Sequence, residues 1–175
     1  MLQIIAGVVV VSVAGFLAVV AKKPNTFRFK REQDIKASPE AIYALINDFH
    51  NWIQWSPYEK KDPNMKRTYS GSESGKGAVY EWEGNNDVGQ GRMEIIDTVP
   101  GSKVVIKLDF LKPFEGHNTA EFTMVPQGDS THVIWAMSGP ANFISKVMQT
   151  VMDMDKMIGD DFADGLAKMK TVAEA

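Results

Sequence analysis

Six consecutive segments of alternating polar and apolar residues occupy the middle of the chain. They lie at residues 66–72, 77–84, 88–98, 103–112, 116–126 and 130–138, and glycine-bearing or short polar turns separate them. Alternation with a period of two is typical of strands that bury one face, and strands joined by short turns pair antiparallel. Because such a sheet must bury its apolar face against another element, this stretch does most to decide the architecture.

Extended and helical patterns flank this stretch. Residues 26–35 alternate like a further strand, and "ASPEAIYALINDF" predicts a helix with Ser38 as its N-cap and Pro39 in its first turn. "HNWIQWSPYEK" predicts a second short helix, and residues 141–173 follow the helical period over a length of about 45 Å. The order predicts an α+β helix-grip fold, in which a curved antiparallel sheet of about seven strands, with two short helices, grips a long C-terminal helix.

The N-terminal segment from Leu2 to Ala21 carries no charged side chain. A helix of this length, at about 1.5 Å per residue, would span the roughly 30 Å hydrocarbon core of a bilayer. Basic residues follow it, so the positive-inside rule predicts a single-pass transmembrane anchor at 1–21, a linker at 22–25 and a cytoplasmic domain at 26–175. The alternative is a cleaved signal peptide and export to the periplasm, although no basic region precedes the apolar run.

The composition argues against several classes of function. The formal net charge is -3, whereas proteins that neutralise phosphates usually carry a basic excess, so nucleic acid is not expected as a partner. The chain has no cysteine, which excludes thiolate nucleophiles and sulfur-based zinc sites. Its three histidines are scattered and no phosphate-binding glycine motif is present, so neither a metal nor a cofactor is expected.

The C-terminal helical segment is rich in methionine, and one acid interrupts its apolar stripe. On a helical projection Met148 lies on the stripe, Met152 lies at its edge and Asp155 lies inside it. Flexible thioethers suit a cavity whose contents vary in shape, and a carboxylate among apolar residues needs a hydrogen-bond partner. These three residues are candidates for lining a ligand cavity, although methionine is also a common filler of ordinary cores.

Aromatic residues supply the rest of the candidate lining. The candidates are Trp52, Trp55, Tyr80, Trp82, Phe110, Phe122 and Trp135. Each ring also fits an ordinary core, but a space filled entirely with Trp and Tyr would need partners for their N–H and O–H groups. Candidates for acid/base chemistry are Glu81, Arg92, Glu94, Asp109, His117 and Asp155, most of which alternate opposite to the aromatic residues.

Three segments of the chain resemble a known family. "DIKASPEAIYALINDFHNWIQWSPYEK", "GKGAVYEWEGNNDVGQGRMEII" and "MDKMIGDDFADGLAKMK" are similar to the polyketide cyclase/dehydrase and lipid-transport group of the START-like SRPBCC superfamily, over about residues 26–172. The resemblance implies a long C-terminal helix that closes a hydrophobic cavity over a curved sheet. Members of the superfamily include lipid carriers, ubiquinone-binding proteins, hormone receptors, aromatic cyclases and chaperone activators, so the fold does not select one activity.

The sequence therefore predicts membrane-tethered binding or transfer of a small hydrophobic molecule, such as a lipid, an isoprenoid or a polyketide-like compound. Two alternatives stay open. A cyclase- or dehydrase-like enzyme requires at least two of Asp155, Glu81 and Arg92 to converge in the cavity. A protein-interaction module of the chaperone-activator type would show a large exposed apolar patch and no internal cavity.

Overall fold

The computed structural model describes residues 2–175, with side chains from Gly7 onward. Its seven strands are β1 (Thr26–Ile35), β2 (Lys66–Gly71), β3 (Ala78–Glu83), β4 (Gln90–Val99), β5 (Lys103–Lys112), β6 (Gly116–Gln127) and β7 (Ser130–Pro140). They form one antiparallel sheet in the order β1-β7-β6-β5-β4-β3-β2. Strands β2 to β7 are a meander of sequence neighbours, whereas β1 pairs with the last strand, so that Thr26 lies opposite Pro140. The predicted antiparallel sheet is present.

The helices are α1 (Leu2–Lys22), α2 (Pro39–Asn47), a 3₁₀ helix (Phe49–Gln54), α3 (Tyr58–Lys61), α4 (Phe143–Val151) and α5 (Met154–Ala173). The start of α2 is as predicted, because the Ser38 hydroxyl accepts a hydrogen bond from the Ala41 N–H and Pro39 occupies the first turn. Helix α5 packs mainly against β1, and α2 packs against β5 and β6. Its apolar stripe buries Phe162, Leu166 and Met169.

The two faces of the sheet differ in chemistry, as alternation requires. The inner face, which looks toward the helices, carries buried side chains such as Trp82, Phe122 and Trp135. The outer face carries charged and hydroxyl side chains, among them Glu81 and Lys107. The core therefore lies between the inner face, the two short helical segments and α5.

The C-terminal helical segment is broken, whereas the sequence predicts one helix over residues 141–173. Met152 ends α4 in an extended conformation, with φ -131° and ψ 146°. Asp153 then caps a new helix, because its carboxylate accepts a hydrogen bond from the Lys156 N–H. The break changes the direction of the chain, so residues before and after it do not share one continuous stripe.

No helix formed by the described residues is long and apolar enough to cross a membrane. The prediction of a transmembrane anchor at residues 1–21 is therefore wrong, and so is the single-pass localisation derived from it. The first part of that predicted segment, residues 1–6, lies outside the described side chains.

Candidate functional site

The aromatic residues predicted to line a cavity lie together on the inner face of the sheet. Six of them are buried in one cluster: Trp52, Trp55, Tyr80, Trp82, Phe122 and Trp135. Phe110 is half-buried at the edge of this cluster, with its ring 5.9 Å from that of Trp82. The structure therefore brings the aromatic candidates together, while their role in binding stays a prediction.

The middle of the space between the sheet and α5 is filled by stacked rings. Trp135 stacks on Phe162 of α5 with 4.1 Å between ring centroids, and on Phe122 with 5.0 Å. Gly165 permits this approach, because a Cβ there would lie only 2.8 Å from Cζ3 of Trp135. Space for a ligand must therefore lie to one side of this stack.

Most of the polar groups on these rings have partners inside the protein. The indole N–H groups of Trp52, Trp55 and Trp82 donate to backbone carbonyls at 2.9 to 3.0 Å. The exception is Trp135, whose Nε1 is buried and has no acceptor among the described residues. An unsatisfied buried donor costs about 1–3 kcal/mol, so an acceptor from water or from a ligand would stabilise this position.

A cavity of about 450 Å³ opens where α4 meets α5, and we call it the junction cavity. Its lining consists of Lys23, Phe29, Gln149, Thr150, Val151, Met152, Asp153, Met154 and Asp155. Phe29 is a buried inner-face residue of β1, so the cavity reaches the inner side of the sheet. Of the predicted methionines, Met152 borders the cavity, and Met148 lies half-buried on α4 outside the lining.

Asp155 is bound at the surface rather than inside an apolar stripe. Its side chain is 61% exposed, and Arg31 of β1 donates to both of its carboxylate oxygens, at 3.3 and 3.2 Å, and to its carbonyl at 2.8 Å. Gly159 leaves room for this contact, because a Cβ there would overlap with the guanidinium group of Arg31. Because the chain breaks at Met152, Asp155 lies in the exposed first turn of α5 rather than in the middle of one long helix.

Five of the six candidate acid/base residues, all except Asp155, lie on the outer face, away from the junction cavity. Glu81 is opposite Arg92, Arg92 is opposite Asp109, and Asp109 is opposite His117, so the four form one row across β3 to β6. Arg92 also donates to Glu94 at 2.8 Å. Asp155 lies on α5, so the convergence that the enzyme hypothesis requires is not seen among the described residues.

A buried ion pair holds α3 against the sheet, and the sequence patterns gave no sign of it. Glu59 of α3 accepts hydrogen bonds from the Arg67 guanidinium at 2.7 Å and from the Tyr80 hydroxyl at 2.9 Å. Burial, together with the negative charge of Glu59, raises the pKa of Tyr80. Charged residues eight positions apart have no periodic signature, so the pair becomes visible only in three dimensions.

The matching family model is described as Polyketide cyclase / dehydrase and lipid transport, and it covers residues 26–174. Among curated proteins, none matches the chain. Solved structures do match. Protein CV1439 from Chromobacterium violaceum has a TM-score of 0.60 at 15% sequence identity, and the match covers 87% of this chain and 99% of that one.

Two further matching structures are of named proteins. The Aha1 dimer from Colwellia psychrerythraea matches with a TM-score of 0.61 at 17% identity, covering 85% of this chain and 96% of that chain. The di-domain ARO/CYC StfQ from the steffimycin biosynthetic pathway matches with a TM-score of 0.62 at 10% identity, covering 85% of this chain and 51% of that one. At these identities the likeness shows the fold alone.

Proposed function

The chain belongs to the polyketide cyclase/dehydrase and lipid transport family, and we propose that it binds a small hydrophobic molecule in the junction cavity. The observation that carries the proposal is the cavity itself. Its volume of about 450 Å³ lies within the range typical of small-molecule sites, roughly 300–1,000 Å³. It also lies on the inner side of the sheet, against the buried ring of Phe29.

The lining of the junction cavity suits an amphipathic ligand with a long apolar part. Phe29, Val151, Met152 and Met154 provide an apolar wall, and thioethers adapt to different ligand shapes. Polar side chains complete the lining, among them Lys23, whose ammonium donates to the Gln149 carbonyl at 3.3 Å. A lipid or isoprenoid would match both the apolar wall and the polar side chains if its tail lay against Phe29 and its polar end near Lys23.

Helix α4 is the element that would adjust to a larger ligand. None of its residues is fully buried, whereas α5 buries five. A side-chain hydrogen bond from Lys146 to Asn25 Oδ1, at 2.7 Å, ties α4 to the segment before β1. Because few buried contacts hold α4, its displacement would cost less than displacement of α5.

Extraction and titration of the purified full chain test the proposal. We expect mass spectrometry of a solvent extract to find a co-purified lipid or isoprenoid. We also expect dansylundecanoic acid, a fluorescent fatty acid, to bind saturably, with about one molecule bound per chain. The absence of both an extracted apolar molecule and saturable binding would contradict the proposal.

Self-association through an apolar surface is a second candidate function, favoured by exposed apolar side chains on α1 and α4. On α1 the side chains of Val11 and Leu17 are exposed, and on α4 those of Phe143 and Ile144 are exposed. Helices α1 and α4 are in contact, and exposed apolar side chains on neighbouring elements are typical of interaction sites. Sedimentation of the full chain should then show self-association that a Val11→Lys, Leu17→Lys double variant abolishes, while fatty acid binding persists.

A further inference from the structure

A second, larger cavity of about 850 Å³ lies along the first residues of β1 and the strands beside it. We call it the outer groove. Its lining consists of Thr26, Phe27, Arg28, Lys107, Asp109, His117, Asn118, Thr119, Ser138, Gly139 and Pro140. It shares no lining residue with the junction cavity, so the proposed function does not account for it.

The sheet register explains the shape of the outer groove. Arg28 lies opposite Ser138, Ser138 lies opposite Thr119, and Thr119 lies opposite Lys107, so one row crosses four strands. Residues at these positions point to the same face of an antiparallel sheet. Two short hydroxyl side chains therefore form a floor, with a long cationic side chain at each end, roughly 14 Å apart at strand spacings of about 4.8 Å.

The charge of the outer groove is mainly positive. Its one acid, Asp109, is buried and bound by His117 Nδ1 at 2.7 Å and by Lys107 Nζ at 3.0 Å. Burial alone would raise the pKa of Asp109, but the hydrogen bonds from His117 and Lys107 outweigh it, so the pKa is lowered and the group is ionised. Arg28 and its nearest acid, Glu121, are 3.9 Å apart, which leaves most of the guanidinium donors free for a ligand.

Acidic groups also approach the rim, and they limit the net positive charge. Glu115 lies 3.2 Å from His117 Nε2, and Glu94 is opposite Lys107 in the register. Neither belongs to the lining of the groove. Arg28, Lys107 and the hydroxyl groups therefore belong to the lining, whereas Glu94, Glu115 and Glu121 lie outside it.

We propose that the outer groove binds a small organic anion that carries phosphate or carboxylate groups. Guanidinium, ammonium and hydroxyl donors spread over four strands match the oxygens of such a molecule, and charge-assisted hydrogen bonds are roughly twice as strong as neutral ones. The volume fits an organic molecule rather than a lone inorganic ion. A nucleic acid polymer is disfavoured, because the chain has a formal net charge of -3.

Titration of the ¹⁵N-labelled full chain by NMR tests the proposal, with pyrophosphate and citrate as probes at constant ionic strength. We expect saturable shifts of the backbone amide signals of Thr119 and Ser138. Tighter binding of pyrophosphate would assign the groove to phosphorylated molecules, and tighter binding of citrate would assign it to polycarboxylates. Shifts that do not saturate below about 20 mM, an affinity weaker than about 2.3 kcal/mol, would overturn the proposal for both.

Arg28→Gln is the decisive variant, because it leaves both partners of Asp109 in place. We expect it to weaken binding of the better probe about tenfold, the loss that corresponds to one charge-assisted hydrogen bond of about 1.4 kcal/mol. Lys107→Gln should weaken binding similarly. Lys30→Gln is the matched control, since Lys30 lies two residues along the same strand, outside the lining, and should change the affinity less than twofold. Equal losses in Arg28→Gln and Lys30→Gln would overturn the proposal.

Discussion

Arg31 on β1 and Asp155 on α5 form an ion pair that passes over the bare backbone of Gly159. The guanidinium also donates to the Asp155 carbonyl at 2.8 Å and to the Lys30 carbonyl at 2.7 Å, so it joins the first turn of α5 to the first strand of the sheet. This contact stands next to the junction cavity, whose lining includes Asp155. It therefore fixes the end of α5 that borders the proposed ligand site.

Substitution of Gly159 by alanine should be destabilising only while Arg31 is present. With Arg31 in place, the added methyl group displaces the guanidinium, and we expect a loss of about 1–2 kcal/mol in the free energy of unfolding. In an Arg31→Ala background the same change should be neutral or stabilising by about 0.5 kcal/mol, because alanine favours a helix. Urea unfolding of the four proteins in this double-mutant cycle measures the coupling, and additive effects would contradict the contact.

Loss of the Glu59 charge should destabilise the fold strongly. Glu59→Gln leaves the Arg67 guanidinium, which is 19% exposed, without its ionic partner, and we expect about 2–3 kcal/mol less stability in urea unfolding. Glu83→Gln changes an exposed acid on β3 in the same way and should stay within about 0.5 kcal/mol of the parent protein. Similar midpoints for the two variants would show that the pair contributes little.

Filling the junction cavity should abolish fatty acid binding. Met154→Trp places a large ring in the lining, and we expect dansylundecanoic acid to bind at least tenfold more weakly, a loss of about 1.4 kcal/mol or more. Met157→Trp is the matched control, because Met157 is exposed on the same helix and does not line the cavity. Binding that is unchanged in Met154→Trp would place the ligand elsewhere.

The pKa of His117 should lie above the ordinary value of about 6.5, because the hydrogen bond to Asp109 stabilises the protonated ring. NMR titration of the ring Cε1 proton measures it, and Asp109→Asn should lower it. Asp160→Asn, on an exposed position of α5, is the control and should leave it unchanged.

The same pair predicts how stability depends on pH. Because its folded pKa is raised, the contribution of His117 is complete below about pH 6.5 and is lost as the pH rises through the folded pKa. Because its folded pKa is lowered, the contribution of Asp109 is present above about pH 3.9 and is lost as the pH falls through the folded pKa. The difference in thermal midpoint between the parent and His117→Asn should therefore be largest between about pH 4 and pH 6.5. A difference that keeps growing above that window would contradict the pairing.

The sheet was predictable because alternation records directly which residues face the core. Each strand from β2 to β7 begins and ends within two residues of its predicted bounds. The break between α4 and α5 was not predictable from periodicity, because both helices keep a helical pattern and only the cap by Asp153 separates them. The break places Asp155 in the first turn of α5, where its exposed carboxylate pairs with Arg31.

The grouping of the aromatic candidates was predictable, whereas the position of the junction cavity, which none of them lines, was not. The aromatic candidates do meet on the inner face, because inward positions on neighbouring strands must lie side by side. Whether these rings enclose a space depends on differences of about an ångström in their packing. The close approach of Trp135 to Phe162, which Gly165 permits, is one example. Pairs such as Glu59 and Arg67 depend on the register of distant segments, which composition and spacing do not encode.

Strand β1 is synthesised long before β7, the strand with which it pairs. A ribosome must synthesise residues 36–129 after β1 before it reaches the strand that pairs with it, which takes roughly 5 to 20 seconds at ordinary elongation rates. During that interval the backbone groups of β1 have no partner strand, whereas each of β2 to β6 can already pair with a neighbour. Strand β1 can therefore join the sheet only after β7 has been synthesised, and until then its unpaired backbone groups are open to pairing with other chains.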